Sequence, residues 1–237
     1  ESLYSTTTGA YNTALGGLSL YTNATGNNNV AVGYKALYDN TASGNVAVGG
    51  HALENNTSGA GNIAVGYASL LTNTTGNYNI AIGYDSLQQN TGSNNVAVGH
   101  DALKQNAAGA YNIAIGYNAL DANTSGDYNV AVGNEALTSN TTSNGNTAIG
   151  FYALRVNTAA KNTAVGTNAG LSVTTGVENT VVGYNALDDC TTGGENTAVG
   201  EQALTTVTTG NNNTAVGRMA LRLTTGSDNT AVGRESC

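Results

Sequence analysis

Asn79-Ile80-Ala81-Ile82-Gly83 is one copy of a five-residue unit, Asn, β-branched, Ala, Val or Ile, Gly, that returns every 16 or 17 residues along the chain. Its closing glycines run from Gly16 through Gly33, Gly49 and Gly66 to Gly233, fourteen in all. Counting from that Gly, position −4 is Asn in every copy: Asn12, Asn29, Asn45, Asn62, Asn79, Asn95, Asn112, Asn129 and their counterparts to Asn229. Positions −3 and −1 are branched, as in Val30 and Val32, so the unit alternates as a strand does. A repeat of this length is one supersecondary unit that buries little alone and is stable only when copies stack. The expected fold is all-β, a parallel β-solenoid or β-roll of about fourteen 16- to 17-residue turns, with residues 1–237 forming one repetitive domain.

Outside the strand, position +3 is Ala or Ser and +4 is Leu in twelve turns, with Gly170 and Cys237 as the departures. Position +7 is Asn from Asn23 to Asn157 and then becomes Val173, Cys190 and Val207. A site that tolerates Asn, Val and Cys is expected to face inward. The amides there are then expected to bond to their copies and to turn backbone. The 16-residue turns begin after Gly33, Gly83, Gly150 and Gly217, and three of them keep the +7 Asn, which places the lost residue in the loop beyond it. Alternation suggests that −3 and −1 point into the core. Position −2, Ala in thirteen turns and Val181 in the other, then reads as a small-residue seam against another chain or another face of the same turn. At about 4.8 Å per turn, fourteen turns make a rod of roughly 65 to 70 Å.

The Asn-Val/Thr-Ala-Val/Ile-Gly core, as in Asn29 to Gly33, resembles the head repeat of trimeric autotransporter adhesins. The longer pattern from Asn196 to Gly210, Asn-Thr-Ala-Val-Gly, Ala-Leu, Thr-Thr-Gly, is similar to repeats of phage tail fibres and related bacterial fibre proteins. The resemblance spans essentially the whole chain. It implies a homotrimeric fibre, extracellular, on a virion tail or a bacterial surface, acting as a shaft or adhesin segment in cell attachment. The adhesin heads use a shorter period. Both ends of this chain fall in mid-turn, which reads as a fragment of a longer fibre protein, and the resemblance sets Cys237 near a junction with a cleaved C-terminal chaperone domain.

A net charge of −8 and a pI near 4.4 argue against a nucleic-acid partner. No apolar run approaches the ~20 residues that cross a bilayer. Acids are dispersed and the two histidines, His51 and His100, fall at the variable positions +2 and +1, so no enzyme, metal or cofactor is expected. This also disfavours a polysaccharide lyase or hydrolase on a β-helix. Cys190 and Cys237 stand three turns apart, beyond disulfide reach, and are expected as free thiols. Aromatic residues recur at +1, as Tyr34, Tyr67, Tyr84, Tyr117, Phe151 and Tyr184, with Tyr78, Tyr111 and Tyr128 near the loop. Tyr34, Tyr67, Tyr84, Tyr117 and Tyr184 are candidate contacts for a cell-surface glycan or receptor, set against the plainer reading that they cap a corner or shield an interface. An ice-binding β-solenoid is the alternative from another class. It needs Thr at alternate strand positions, whereas Thr74 and Thr75 are adjacent beside a turn Gly.

Overall fold

Each five-residue unit becomes a three-residue strand in the computed structural model, which describes every residue except Thr6. The chain is all-β, a parallel β-solenoid with no helix among the described residues. It divides into two compact units, Glu1–Ser125 and Gly126–Cys237. The first holds β1 (Thr13–Leu15), β2 (Val30–Val32), β3 (Val46–Val48), β4 (Ile63–Val65), β5 (Ile80–Ile82), β6 (Val96–Val98) and β7 (Ile113–Ile115). The second holds β8 (Val130–Val132), β9 (Thr147–Ile149), β10 (Thr163–Val165), β11 (Thr180–Val182), β12 (Thr197–Val199), β13 (Thr214–Val216) and β14 (Thr230–Val232). Within each unit successive strands pair in parallel, like residue against like, as with Ala47↔Ala64 and Ala198↔Ala215.

The interior is narrower than the alternation suggests. The −2 residue is fully buried from Ala31 to Ala215, as are Ala or Ser at +3, Leu at +4 and Asn at −4 and +7 in the first unit's inner turns. The branched residues at −3 and −1 lie outside, with Val65 at 36% and Ile82 at 41% of full exposure. This corrects one expectation and decides between the two halves of another: the large strand side chains do not form the core, and the alanine row is a seam against its own turn, not against another chain. Period-two alternation says which residues share a face, not which face is inside. Here the +4 Leu and two Asn side chains already occupy the interior, and the space left at −2 takes a methyl group.

Closure of the turn needs unusual backbone. The closing glycines adopt φ near +135°, and a Cβ on Gly66 would lie 2.4 Å from the carbonyl oxygen of Gly83 in the next turn. Only glycine fits that approach. Positions +2 and +4 follow in the left-handed region, as at Lys35 (φ 57°) and Leu37 (φ 51°). For residues with a side chain this costs about 1–2 kcal/mol each. The strain is offset by hydrogen bonds in both axial directions: Lys35 N–H donates back to Gly17 O at 2.9 Å and Leu37 N–H donates forward to Ala52 O at 3.0 Å. This corner is therefore tied to the turns on either side.

Candidate functional site: an exposed strand face with asparagine and aromatic ladders

Two asparagine ladders hold the turns in register. At −4, each Oδ1 accepts the backbone N–H of the next copy: Asn29 N–H to Asn12, Asn45 N–H to Asn29 and Asn62 N–H to Asn45, at 2.9, 2.9 and 2.8 Å. Each Nδ2 donates to a loop carbonyl of the next turn, as Asn62 does to Gly76 O at 2.9 Å. The series continues through Asn79, Asn95 and Asn112 in the first unit and from Asn129 to Asn229 in the second. One side chain must offer an acceptor and a donor at short reach; Asp has no donor and Gln carries an extra methylene.

The second ladder, at +7, runs Asn56 to Asn40 (2.7 Å), Asn73 to Asn56 (2.9 Å), Asn90 to Asn73 (3.1 Å), Asn106 to Asn90 (2.7 Å) and Asn123 to Asn106 (2.7 Å). In long turns the same Nδ2 also reaches the carbonyl three residues on, as Asn73 does to Gly76. In the short turns it reaches the carbonyl two residues on, as in Asn90 to Gly92 and Asn157 to Ala159. The missing residue therefore lies in the loop just past +7, where sequence spacing puts it. In the second unit Cys190 stands in for Asn, fully buried, with its Sγ 3.5 Å from Gly193 O and its thiol pushed up to about 11 by burial. Cys237 is exposed, and both cysteines are free.

The +1 aromatics stack on one another. Tyr67 and Tyr84 lie 5.4 Å apart at 16°, Tyr84 and His100 lie 5.1 Å apart at 13°, and Tyr117 follows, tilted, 5.6 Å from His100. Where Gly50 leaves a gap at +1, His51 enters from +2 and meets Tyr34 and Tyr67 edge-on at 5.4 and 5.5 Å. Glu54 holds His51 Nδ1 at 2.5 Å and Lys35 Nζ at 2.8 Å. Burial raises the Glu54 carboxyl, but the hydrogen bonds from Lys35 and His51 outweigh it and keep the group below its usual range. A further ladder at +5, Tyr4, Tyr21 and Tyr38, stacks at 5.0 and 5.2 Å. The recurrence of Tyr at one position in three successive turns is the signal that would have found it.

Stacking alters what these rings can do. A sugar docks on a free aromatic face, whereas Tyr67, Tyr84 and His100 turn their faces to one another and leave only edges and hydroxyls to solvent. Of the candidate glycan contacts, Tyr34 meets His51 edge-on, and Tyr67, Tyr84 and Tyr117 belong to the ladder. Tyr184 stands between Thr167 and Glu201 at +1, outside any stack given by the described rings.

The remaining surface feature is the outward face of the strands. In the first unit it presents Val30, Val46, Ile63, Ile80, Val96 and Ile113 in one column and Leu15, Val32, Val48, Val65, Ile82, Val98 and Ile115 in the other. Among the described residues no group of three or more His, Cys, Asp or Glu is placed to hold a metal ion, and no helix is long and apolar enough to cross a membrane. No protein-family model matches the chain, and neither a curated protein nor a solved structure does.

Proposed function

We propose that the chain is a structural segment of an extracellular fibre, a phage tail fibre or a bacterial surface fibre, that assembles with two further copies of itself and takes part in attachment to a cell surface. The observation that carries this reading is the continuity of the −4 ladder in each unit, where every turn is bonded through Asn side chains to the next. A side-chain ladder of this kind resists bending and slippage between turns, which suits a shaft. Light scattering at micromolar concentration is expected to return three times 23.7 kDa. The mass of one chain would sink this reading.

A second reading has one observation in its favour. In the second unit Thr147, Thr163, Thr180, Thr197, Thr214 and Thr230 form an outward column in register, opposite a column of Val and Ile. A regular hydroxyl array on a parallel sheet is the arrangement an ice-binding solenoid would need. Charges at its flanks, Glu178, Glu195 and Glu201 among them, weigh against it. A thermal hysteresis measurement with no ice shaping would end this alternative.

A further inference from the structure

We infer that copies of this chain meet through the outward strand face of the first unit, from β1 to β7. The inference deepens the assembly proposed above by naming its interface. Four positions bear on it: −3 and −1 on the strand itself, and −5 and +1 beside it. Across the first unit's seven turns none of these positions is Asp, Glu, Lys or Arg; they are Val, Ile, Leu, Tyr, Gly, Asn, a single Thr and His100. Two turns read aromatic, Ile, Ile, aromatic: Tyr78, Ile80, Ile82, Tyr84, and Tyr111, Ile113, Ile115, Tyr117. The first unit's charges fall instead at +2, +5 and +6, as Lys35, Asp39, Glu54, Asp85, Asp101, Lys104 and Asp121, with Glu1 in the +2 position of the opening turn. An acidic chain thus keeps one face of its first unit free of formal charge and apolar, and places that unit's excess of carboxylates on the positions away from it.

The dimensions fit. Seven strands about 4.8 Å apart and a ribbon from −5 to +1, roughly six steps of about 3.3 Å across, make a face on the order of 600 Å² in plane. Its corrugated accessible surface approaches the ~800 Å² per partner of a standard interface, and an exposed apolar patch of that size marks a contact site. Three such ribbons about one axis leave roughly 6 Å from the axis to each sheet, close to half the ~10 Å at which sheets pack. The −3 and −1 side chains then fill the middle.

The test is the solution mass of paired substitutions. Ile82→Asp with Val96→Asp, on the first unit's face, is expected to reduce the assembly to single chains of 23.7 kDa. Val199→Asp with Thr214→Asp, at the equivalent −1 and −3 positions of two successive strands in the second unit, is expected to leave the mass unchanged. Far-UV circular dichroism confirms that each variant is folded. If the aspartates unfold the chain, Val65→Cys in a Cys237→Ser background decides: mild oxidation is expected to cross-link copies, and no cross-link overturns the inference. A wild-type chain of single mass removes the whole assembly. A wild-type assembly that survives the first-unit pair removes this interface alone.

Discussion

The two units share one backbone recipe and differ in what they place outside and inside it. Outward, the first unit shows two branched apolar columns flanked by rings, whereas the second replaces the −3 column with Thr from Thr147 onward. Beside its strands the second unit carries Lys161, Glu178, Glu195, Glu201, Arg218, Asp228 and Arg234 at −5 and +1. Some of these pair along the axis, as Lys161 with Glu178 at 2.9 Å and Arg218 with Glu201 at 3.3 Å. Exposed pairs of this kind add little stability, but they keep a face in water. Inward, the first unit runs an unbroken +7 Asn ladder, whereas the second keeps Asn140 and Asn157 and then gives the ladder up for Val173, Cys190 and Val207. A buried polar ladder works only while every member has its partners, so it is kept whole or replaced by apolar residues. The same fold thus has one half organised by polar stacking inside and apolar surface outside, and another with the reverse emphasis.

The sharpest way to break this comparison is to exchange the +7 residues. Asn90→Val removes the donor to Asn73 Oδ1 and the acceptor of Asn106, and is expected to cost about 3 kcal/mol by chemical denaturation. Val173→Asn, in the unit that has left the ladder, can still reach its own turn and should change stability by no more than about 1 kcal/mol. Equal losses would show that the ladder is not a cooperative unit. The next effect concerns the rings: Tyr84→Ala loses two ring neighbours and should cost about 1–2 kcal/mol, against at most about 0.5 for Tyr184→Ala.

The smallest effect is electrostatic and belongs to the second unit. Asp188 is raised to about 6, first by burial and then by Asp189, and its Oδ1 has no hydrogen-bond partner among the described residues. The folded chain therefore holds this proton more tightly than the unfolded chain, whose ordinary value is about 3.9. The stability this contributes is present below about pH 4 and is lost as pH rises through 6. Asp188→Asn is expected to raise stability by about 1 kcal/mol at pH 7, after discounting for the group's partial exposure, and by almost nothing at pH 4. Melting curves at the two pH values give the comparison directly, and a gain independent of pH would contradict it.

Much of the architecture is legible in the residues. The invariant Asn and Gly set the period, the inward drift at +7 identifies a buried position, and the short turns locate the expendable loop residue. The inside and outside of the strand were not legible, because alternation is symmetric and size argued for the wrong face. The stacked rings escaped for a related reason: a column of Tyr is visible in the sequence, but whether faces point to solvent or to each other depends on the separation between turns.

The sequence by itself determined that like residues stack on like at a constant interval, since only a coaxial repeat satisfies an Asn that recurs without exception. Tertiary structure alone decided which face of each strand is covered. That choice follows from volume: with one Leu and two Asn side chains already inside each first-unit turn, alanine fills what remains and the larger residues are left on the surface, and a buried valine, Val181, takes this position only in a second-unit turn whose +7 residue is Cys190.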